Sequence, residues 1–400
     1  MNLSKPGHPQ ARPVYQTVPD GALTGPEAAL ETTRTPRTVP GRYSHGMAFT
    51  PPPRTPSALL HALLAALALG SATGAHAQAH RTAVWLRPPE QPQELERTLV
   101  AARQAGFTDV LLEGFYHGRA IWTSSVAPMK LQYDALALAS RVARREGLHL
   151  NVWFETLYWR PDRQFGIPVT PLWQDRYATL SEDGRTSLDV SRLGFVDPSD
   201  PDVGTLLAAL TAELGRTYPD VGLHLDYLRY PREANFGYHP AAVQAFREQT
   251  GIDAGTLRGR DPNGEQTQDR HLWQAFRRDT VTALAGRLVR SYRDAGGQGL
   301  VSAAVFGRVD PLQDWRHWPG LEVAMPMLYY PFPALYRAVP LLFPPAANVW
   351  PGIRVGPGGA ALAPQLDLLH GLGYPNVAVF GWTPDGTATP VTPDLDGTRP

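Results

Sequence analysis

Gly222-Leu223-His224-Leu225-Asp226-Tyr227-Leu228-Arg229-Tyr230-Pro231 is the stretch from which the fold is read. Apolar and polar residues alternate through its first half. That is the period of a β-strand, whose successive side chains point to opposite faces. Leu223 and Leu225 then share a face that packs outward on helices. His224 and Asp226 share the inward face, with the carboxylate toward the strand's C-terminal end.

The same signature recurs on both sides of this stretch. In Leu150–Glu155 the inward set is Asn151, Trp153 and Glu155. A first strand ends with Trp85 and Arg87 on one face, and a seventh supplies Trp350, Gly352 and Arg354. Glu113, Tyr329 and Trp382 end the second, sixth and eighth. Strands are expected at 81–87, 109–114, 149–156, 222–230, 300–306, 323–329, 349–355 and 377–383. Helical stretches fall between most of them, at 93–105, 134–146, 201–217, 239–250 with 269–294, 333–342 and 359–371. Only the connection at 307–318 looks short and irregular, and no helix is expected after the last strand. Asp200 followed by Pro201 marks a helix start, as N-cap and first helical residue. The pattern predicts an α/β fold, a single (β/α)8 TIM barrel over 78–383.

A buried, unpaired charge costs several kcal/mol, so strand-end charges must pair with one another or stand at a solvated site. Their gathering at one end of the strands points to a site, and the long connections 115–133, 157–199 and 307–322 would surround it. Simple pairing of Arg87 or Arg354 with Glu113 or Glu155 stays open at this level. So does a wall role for His224.

The N-terminal part reads as a leader. Residues 1–57 are rich in Pro, Thr, Gly and Arg without hydrophobic periodicity, which predicts disorder. Arg54, the apolar run Ala58–Leu69 and Ala75-His76-Ala77 together predict a signal peptide over 54–77. Met47 stands where such a signal would start, so residues 1–46 are expected to be untranslated and the mature protein to begin near Gln78. The expectation is export, to the periplasm or beyond the cell, with no membrane anchor after cleavage. The tail 384–400 is expected to be loose.

Composition narrows the chemistry. Lys plus Arg and Asp plus Glu number 37 each, so the charge balance gives no footprint for nucleic acid. The absence of cysteine excludes disulfides, thiolate nucleophiles and zinc–sulfur sites. No H-E-x-x-H, G-x-G-x-x-G, P-loop or G-x-S-x-G motif occurs, so neither a metal nor a cofactor is expected. Ten Trp suit sugar-stacking surfaces and an ordinary core alike. Carboxylates, arginines and aromatics at a barrel mouth are what glycoside hydrolysis needs. One carboxyl protonates the leaving oxygen while a second attacks or activates water.

On these residues the chain resembles glycosyl-hydrolase-like family 10, over about 81–383. The matching pieces are RTAVWLR at 81–87, NVWFE at 151–155, Asp-Pro-x-x-Pro at 197–201, GLHLDYLRYP at 222–231, QDWRHW at 313–318 and AMPMLYY at 324–330. EGFYHGRAIW at 113–122 is a looser match. The resemblance implies a barrel glycosidase acting on bacterial cell-wall glycan strands. It implies that Asp226 and Glu155 are the fourth- and third-strand carboxylates, and that Arg229, Tyr230, Asp314, Trp315, Tyr329 and Tyr330 form a polar wall. Asp226 is then expected as nucleophile or base and Glu155 as general acid. Attack by an N-acetyl group of the substrate, oriented by Asp226, is a further route. Arg87, Glu113, Trp153, His224, Arg354 and Trp382 complete the expected substrate contacts. Two other readings stay open. One is a sugar-binding barrel without catalysis. The other is an amylase-like α-glycosidase, suggested by G-x-x-x-D at strand four, although Val301–Phe306 has no Glu to serve as its acid.

Overall fold

Eight parallel strands close on themselves in the computed structural model, which describes residues 80–257, 267–330, 332–356 and 361–386. The leader, the signal peptide, Met47 and the tail beyond 386 lie outside the described residues. The strands are β1 (Thr82–Leu86), β2 (Asp109–Tyr116), β3 (His149–Glu155), β4 (Gly222–Asp226), β5 (Val301–Phe306), β6 (Val323–Met327), β7 (Gly352–Arg354) and β8 (Val377–Phe380). Each pairs in parallel with its neighbours in sequence, and β1 pairs with both β2 and β8. The expected (β/α)8 barrel is therefore the fold.

Alternation along the strands separates two cores. Outward residues such as Val84, Leu112, Val152, Leu223, Leu225 and Val305 pack with the helices. Inward residues, among them Ala83, Trp85, Leu111, Trp153, Ala304, Met325 and Ala378, fill the barrel. Strand lengths depart from expectation where local backbone intervenes. β4 ends at Asp226 instead of running to 230, because Tyr227 takes φ 51, a left-handed conformation that an extended strand cannot continue through.

The crossovers carry their own start and stop signals. Helix Ala135–Glu146 is capped by the Asp134 carboxylate, which accepts from the Ala137 N–H, and Gly147 ends it at φ 68. Asp200 caps helix Pro201–Thr217 as expected, accepting from the N–H groups of Asp202 and Val203. Two helices, Pro240–Thr250 and Gln268–Asp294, connect β4 to β5. The expected helix at 333–342 is instead a 3-10 segment, Pro333–Ala338, followed by one α-turn, Val339–Leu342. Pro340 lacks the N–H that a continuous helix would need there. β5 and β6 are joined by only a 3-10 turn at Trp315–His317. Among the described residues, no helix is long and apolar enough to cross a membrane.

Candidate active site at the C-terminal mouth of the barrel

The inward side chains form layers. At the floor, the Asn151 amide lies against the backbone of Gly222, where a Cβ would stand 2.0 Å from its Oδ1. Above it, Trp85 Nε1 donates to His224 Nε2 at 3.0 Å, so the ring proton is on Nδ1 and is given to Ser302 Oγ at 2.8 Å. His224 is fully buried, and burial holds its pKa down at about 3, leaving the ring neutral. His224, expected as a substrate contact or a wall residue, is thus fully buried, holding Trp85 with both ring nitrogens engaged.

Three carboxyls crown this layer. Glu113, Glu155 and Asp226 are 2%, 1% and 5% exposed. Glu113 stands just before an irregularity in the β2–β3 pairing, where the register shifts between Glu113 and Phe115. Gly114 occupies the shift, and a Cβ there would lie 2.4 Å from Val152 Cγ1. The Arg87 Nε is 3.3 Å from Glu113 Oε2. Burial raises the Glu113 pKa, and the charges of Arg87 and then Lys130 oppose the rise. The ion pair left open by the sequence is thus made, between Arg87 and Glu113.

Among the described residues, Glu155 makes no ion pair with a guanidinium. Burial, reinforced by the charge of Glu113, pushes its pKa well above the ordinary carboxyl value. The His117 backbone N–H points at its Oε2 from 3.3 Å, and the His117 ring Nε2 is 3.8 Å from the same oxygen. That second contact is not ionic. Burial holds His117 at about 3, assisted by Lys130 and Arg87.

Asp226 lies beside Glu155 in register on the adjacent strand. Burial raises its pKa to about 6, opposed chiefly by Arg229. Its Oδ2 accepts from Trp153 Nε1 at 3.0 Å and its Oδ1 from the Tyr227 N–H at 2.6 Å. The left-handed Tyr227 backbone turns that N–H back onto the preceding carboxylate. His117, at φ 52, is another non-glycine residue in this conformation, also at a strand end beside a carboxyl. Such strain costs of order 1–3 kcal/mol and clusters at sites held in place by their surroundings.

The remaining expected residues divide. Arg87, Trp153 and Trp382 line a cavity of about 150 Å³ with Trp85 and Phe380. Trp382 is also held edge-on to Phe107. Tyr329 stacks on Phe380 at 5.5 Å. Arg354 ends β7 in register with Phe380. Arg229 and Tyr230 lie on the opposite, β4–β5 side. Three others are engaged away from the carboxyls. Asp314 pairs with His317, Trp315 stacks on Phe343 and Tyr330 packs on Tyr336, all in the connections flanking β6. Conversely, His117, Lys130 and Tyr227 enter the site without having been singled out. The His117-Gly118 turn and the strand break after Asp226 are visible only as backbone conformations. Lys130 arrives from the long connection after β2, its ammonium 4.7 Å over the Tyr116 ring. Among the described residues, no group of three or more His, Asp or Glu side chains is placed to hold a metal ion.

Comparison with known proteins shows the family and the fold. A family model described as glycosyl hydrolase-like 10 matches residues 110–337, a span containing all three carboxyls. No match to a curated protein reaches significance. Among solved structures, the catalytic domain of a β-amylase from Paenibacillus polymyxa superposes with a TM-score of 0.54 at 11% identity, covering 78% of this chain and 95% of that one. A β-galactosidase from the haloarchaeon Halorubrum lacusprofundi gives 0.55 at 15% identity, over 77% of this chain and 56% of its own length. One from the psychrophile Marinomonas ef1 gives 0.52 at 15% identity, with 77% and 56% covered. At these identities the likeness is one of fold.

Proposed function

Because this chain belongs to the glycosyl hydrolase-like 10 family, we propose that it is an exported glycosidase that cuts bacterial envelope polysaccharide, in the first place peptidoglycan glycan strands. The observation that carries the reading is the pair Glu155 and Asp226, neighbours in register whose environments divide their proton affinities. Glu155 is raised well above the ordinary carboxyl value and Asp226 only to about 6, a separation that suits Glu155 to proton donation and Asp226 to the carboxylate role, the division of labour that glycoside hydrolysis requires.

In this mechanism Glu155 gives its proton to the leaving glycosidic oxygen. Asp226 attacks the anomeric carbon, activates a water, or orients an N-acetyl group of the substrate that does so. The N–H groups of Trp153 and Tyr227 hold the ionised Asp226 in one orientation. Glu113, held by Arg87, contributes to the raised proton affinity of Glu155. Rings of Trp85, Trp153, Phe380 and Trp382 offer apolar faces for sugar stacking. Export is supported by the basic residue, apolar run and Ala-His-Ala sequence at 54–77.

The test is incubation of the purified protein and of Asp226→Asn with peptide-free glycan strands, followed by mass spectrometry. Shortened strands from the wild type alone are expected. Binding without product in either protein would replace the glycosidase with a sugar-binding barrel. Neither binding nor product would remove peptidoglycan as the substrate.

A further inference from the structure

A second cavity, of about 380 Å³, opens on the β4–β5 side of the mouth. Its lining contains five arginines, Arg229, Arg232, Arg270, Arg277 and Arg308, against one carboxylate, Asp310. They come from three places in the chain: the connection after β4, the start of helix Gln268–Asp294 and the connection after β5. Among the described residues, none of the five makes an ion pair. The nearby carboxylates are committed elsewhere. Asp310 accepts from the Leu312 N–H, Asp197 from Thr179 and Ser199, and Glu182 from Asn235.

A basic patch is ordinarily a solvated surface, but part of this one is not solvated. Arg277 is 6% exposed, and burial lowers its proton affinity. One of its nitrogens is satisfied by Asn235 Oδ1 and the Phe236 carbonyl, both at 2.6 Å, whereas its Nε has no partner. Arg229 Nε, Tyr230 Oη and Trp273 Nε1 are likewise buried and unpartnered. Each such group costs roughly 1–3 kcal/mol when left without an acceptor. These four atoms lie beneath the cavity wall, and what faces the cavity is an excess of cations, five arginines to one carboxylate, which favours an acceptor-rich, negatively charged occupant. Stacking fixes the outer cations: the guanidinium carbons of Arg229 and Arg232 lie 4.7 and 4.8 Å over the Phe306 ring. Arg229 ties this cavity to the carboxyl centre: it lines the cavity and its guanidinium carbon lies 4.9 Å over the ring of Tyr227, whose N–H is donated to Asp226.

We propose that this cavity is the subsite for a carboxylate-bearing sugar of the substrate, seated on the β4–β5 side of the bond that Asp226 works on. The proposal rests on the glycosidase reading and gives it a specificity. A glycan whose sugar acids are free binds here, and one whose acids are amidated, esterified or absent loses the contact. Arg308 is exposed and Arg270 half-buried, and among the described residues neither side chain makes a hydrogen bond or ion pair, so they are the positions to change.

The experiment has two arms, both on the full-length protein. In the first, isothermal titration calorimetry compares N-acetylmuramic acid, its methyl ester, glucuronic acid and N-acetylglucosamine, with wild type and the double variant Arg270→Gln/Arg308→Gln. Acidic sugars are expected to bind about tenfold or more tightly than the ester or the neutral sugar, an advantage lost in the variant and weakened by salt. Preference for N-acetylmuramic acid over glucuronic acid would identify the lactyl carboxylate as the source, and equal binding would leave any sugar carboxylate. Equal binding of acid and ester, no binding of any acid, or a variant indistinguishable from wild type would overturn the subsite. In the second arm, glycan strands are compared with strands whose carboxyls have been reduced to alcohols. Cleavage of both with the same KM would remove the subsite and leave the glycosidase standing. Arginine-dependent binding of acids without cleavage of either would do the reverse.

Discussion

Replacing Asp226 with Asn removes a buried negative charge while keeping the shape of the side chain. The wild-type carboxyl binds its proton more tightly in the folded state, with a pKa of about 6 against 3.8 for the free group. An acid shifted upward in this way destabilises the fold once it ionises. Stability therefore falls as pH rises from about 4 through about 6, and the loss at about pH 7 is ~3 kcal/mol. Asn escapes that loss. It cannot, however, accept from both Trp153 Nε1 and the Tyr227 N–H, because one of its two atoms is itself a donor. The clash of donors costs roughly 1–2 kcal/mol. The balance leaves Asp226→Asn more stable than wild type by roughly 1–2 kcal/mol near pH 7. Near pH 4 the wild-type carboxyl is protonated in the fold, the advantage nearly vanishes, and the variant becomes the less stable of the two. His117, Glu113 and Glu155 also titrate on unfolding, but the comparison with the variant cancels most of their contribution. Urea denaturation of both proteins across this range reads the difference directly. A variant less stable than wild type at both ends of the range would refute the buried ionised carboxylate, and with it the division of roles between Asp226 and Glu155.

Two further outcomes follow from the same geometry. Glu155→Gln should lower kcat by about 10²–10⁴ and remove the alkaline limb of the pH–rate profile, leaving the acid limb near the Asp226 pKa of about 6; an unchanged alkaline limb would assign the acid elsewhere. Gly222→Ala places a methyl 2.0 Å from Asn151 Oδ1 and 2.6 Å from the Leu300 carbonyl oxygen, and should destabilise the fold by roughly 1–3 kcal/mol in thermal unfolding. A neutral effect there would show that the barrel floor can rearrange.

Much of the site was legible in the strands. Glu155 and Asp226 lie side by side because alternation fixes which residues point inward, and because successive strands of a barrel are neighbours. The same rule placed His224 inward but could not set its depth. One layer below Asp226 is enough to turn a candidate ligand contact into a wall residue held between Trp85 and Ser302. Asp314, Trp315 and Tyr330 sit in connections, where no periodicity says which way a side chain points: Asp314 and Tyr330 meet near neighbours in the chain, and Trp315 meets Phe343 from the connection after β6. Pairing of Arg87 with Glu113, in preference to Glu155, depended on distances that no spacing encodes.

Taken by itself, the sequence determined the number of strands, their order and the inward face of each, because those follow from a local period of two and from the right-handed crossover rule of parallel strands. It also placed carboxylates at the strand ends, which is a property of position along the chain. The tertiary structure decided the proton affinities of Glu155 and Asp226, since these depend on burial and on charges brought near by folding. It likewise decided that five arginines scattered over some eighty residues, from Arg229 to Arg308, share one cavity. Their meeting is a long-range consequence of β4, β5 and the start of the helix between them opening at the same end of the barrel, and nothing local in the chain records it.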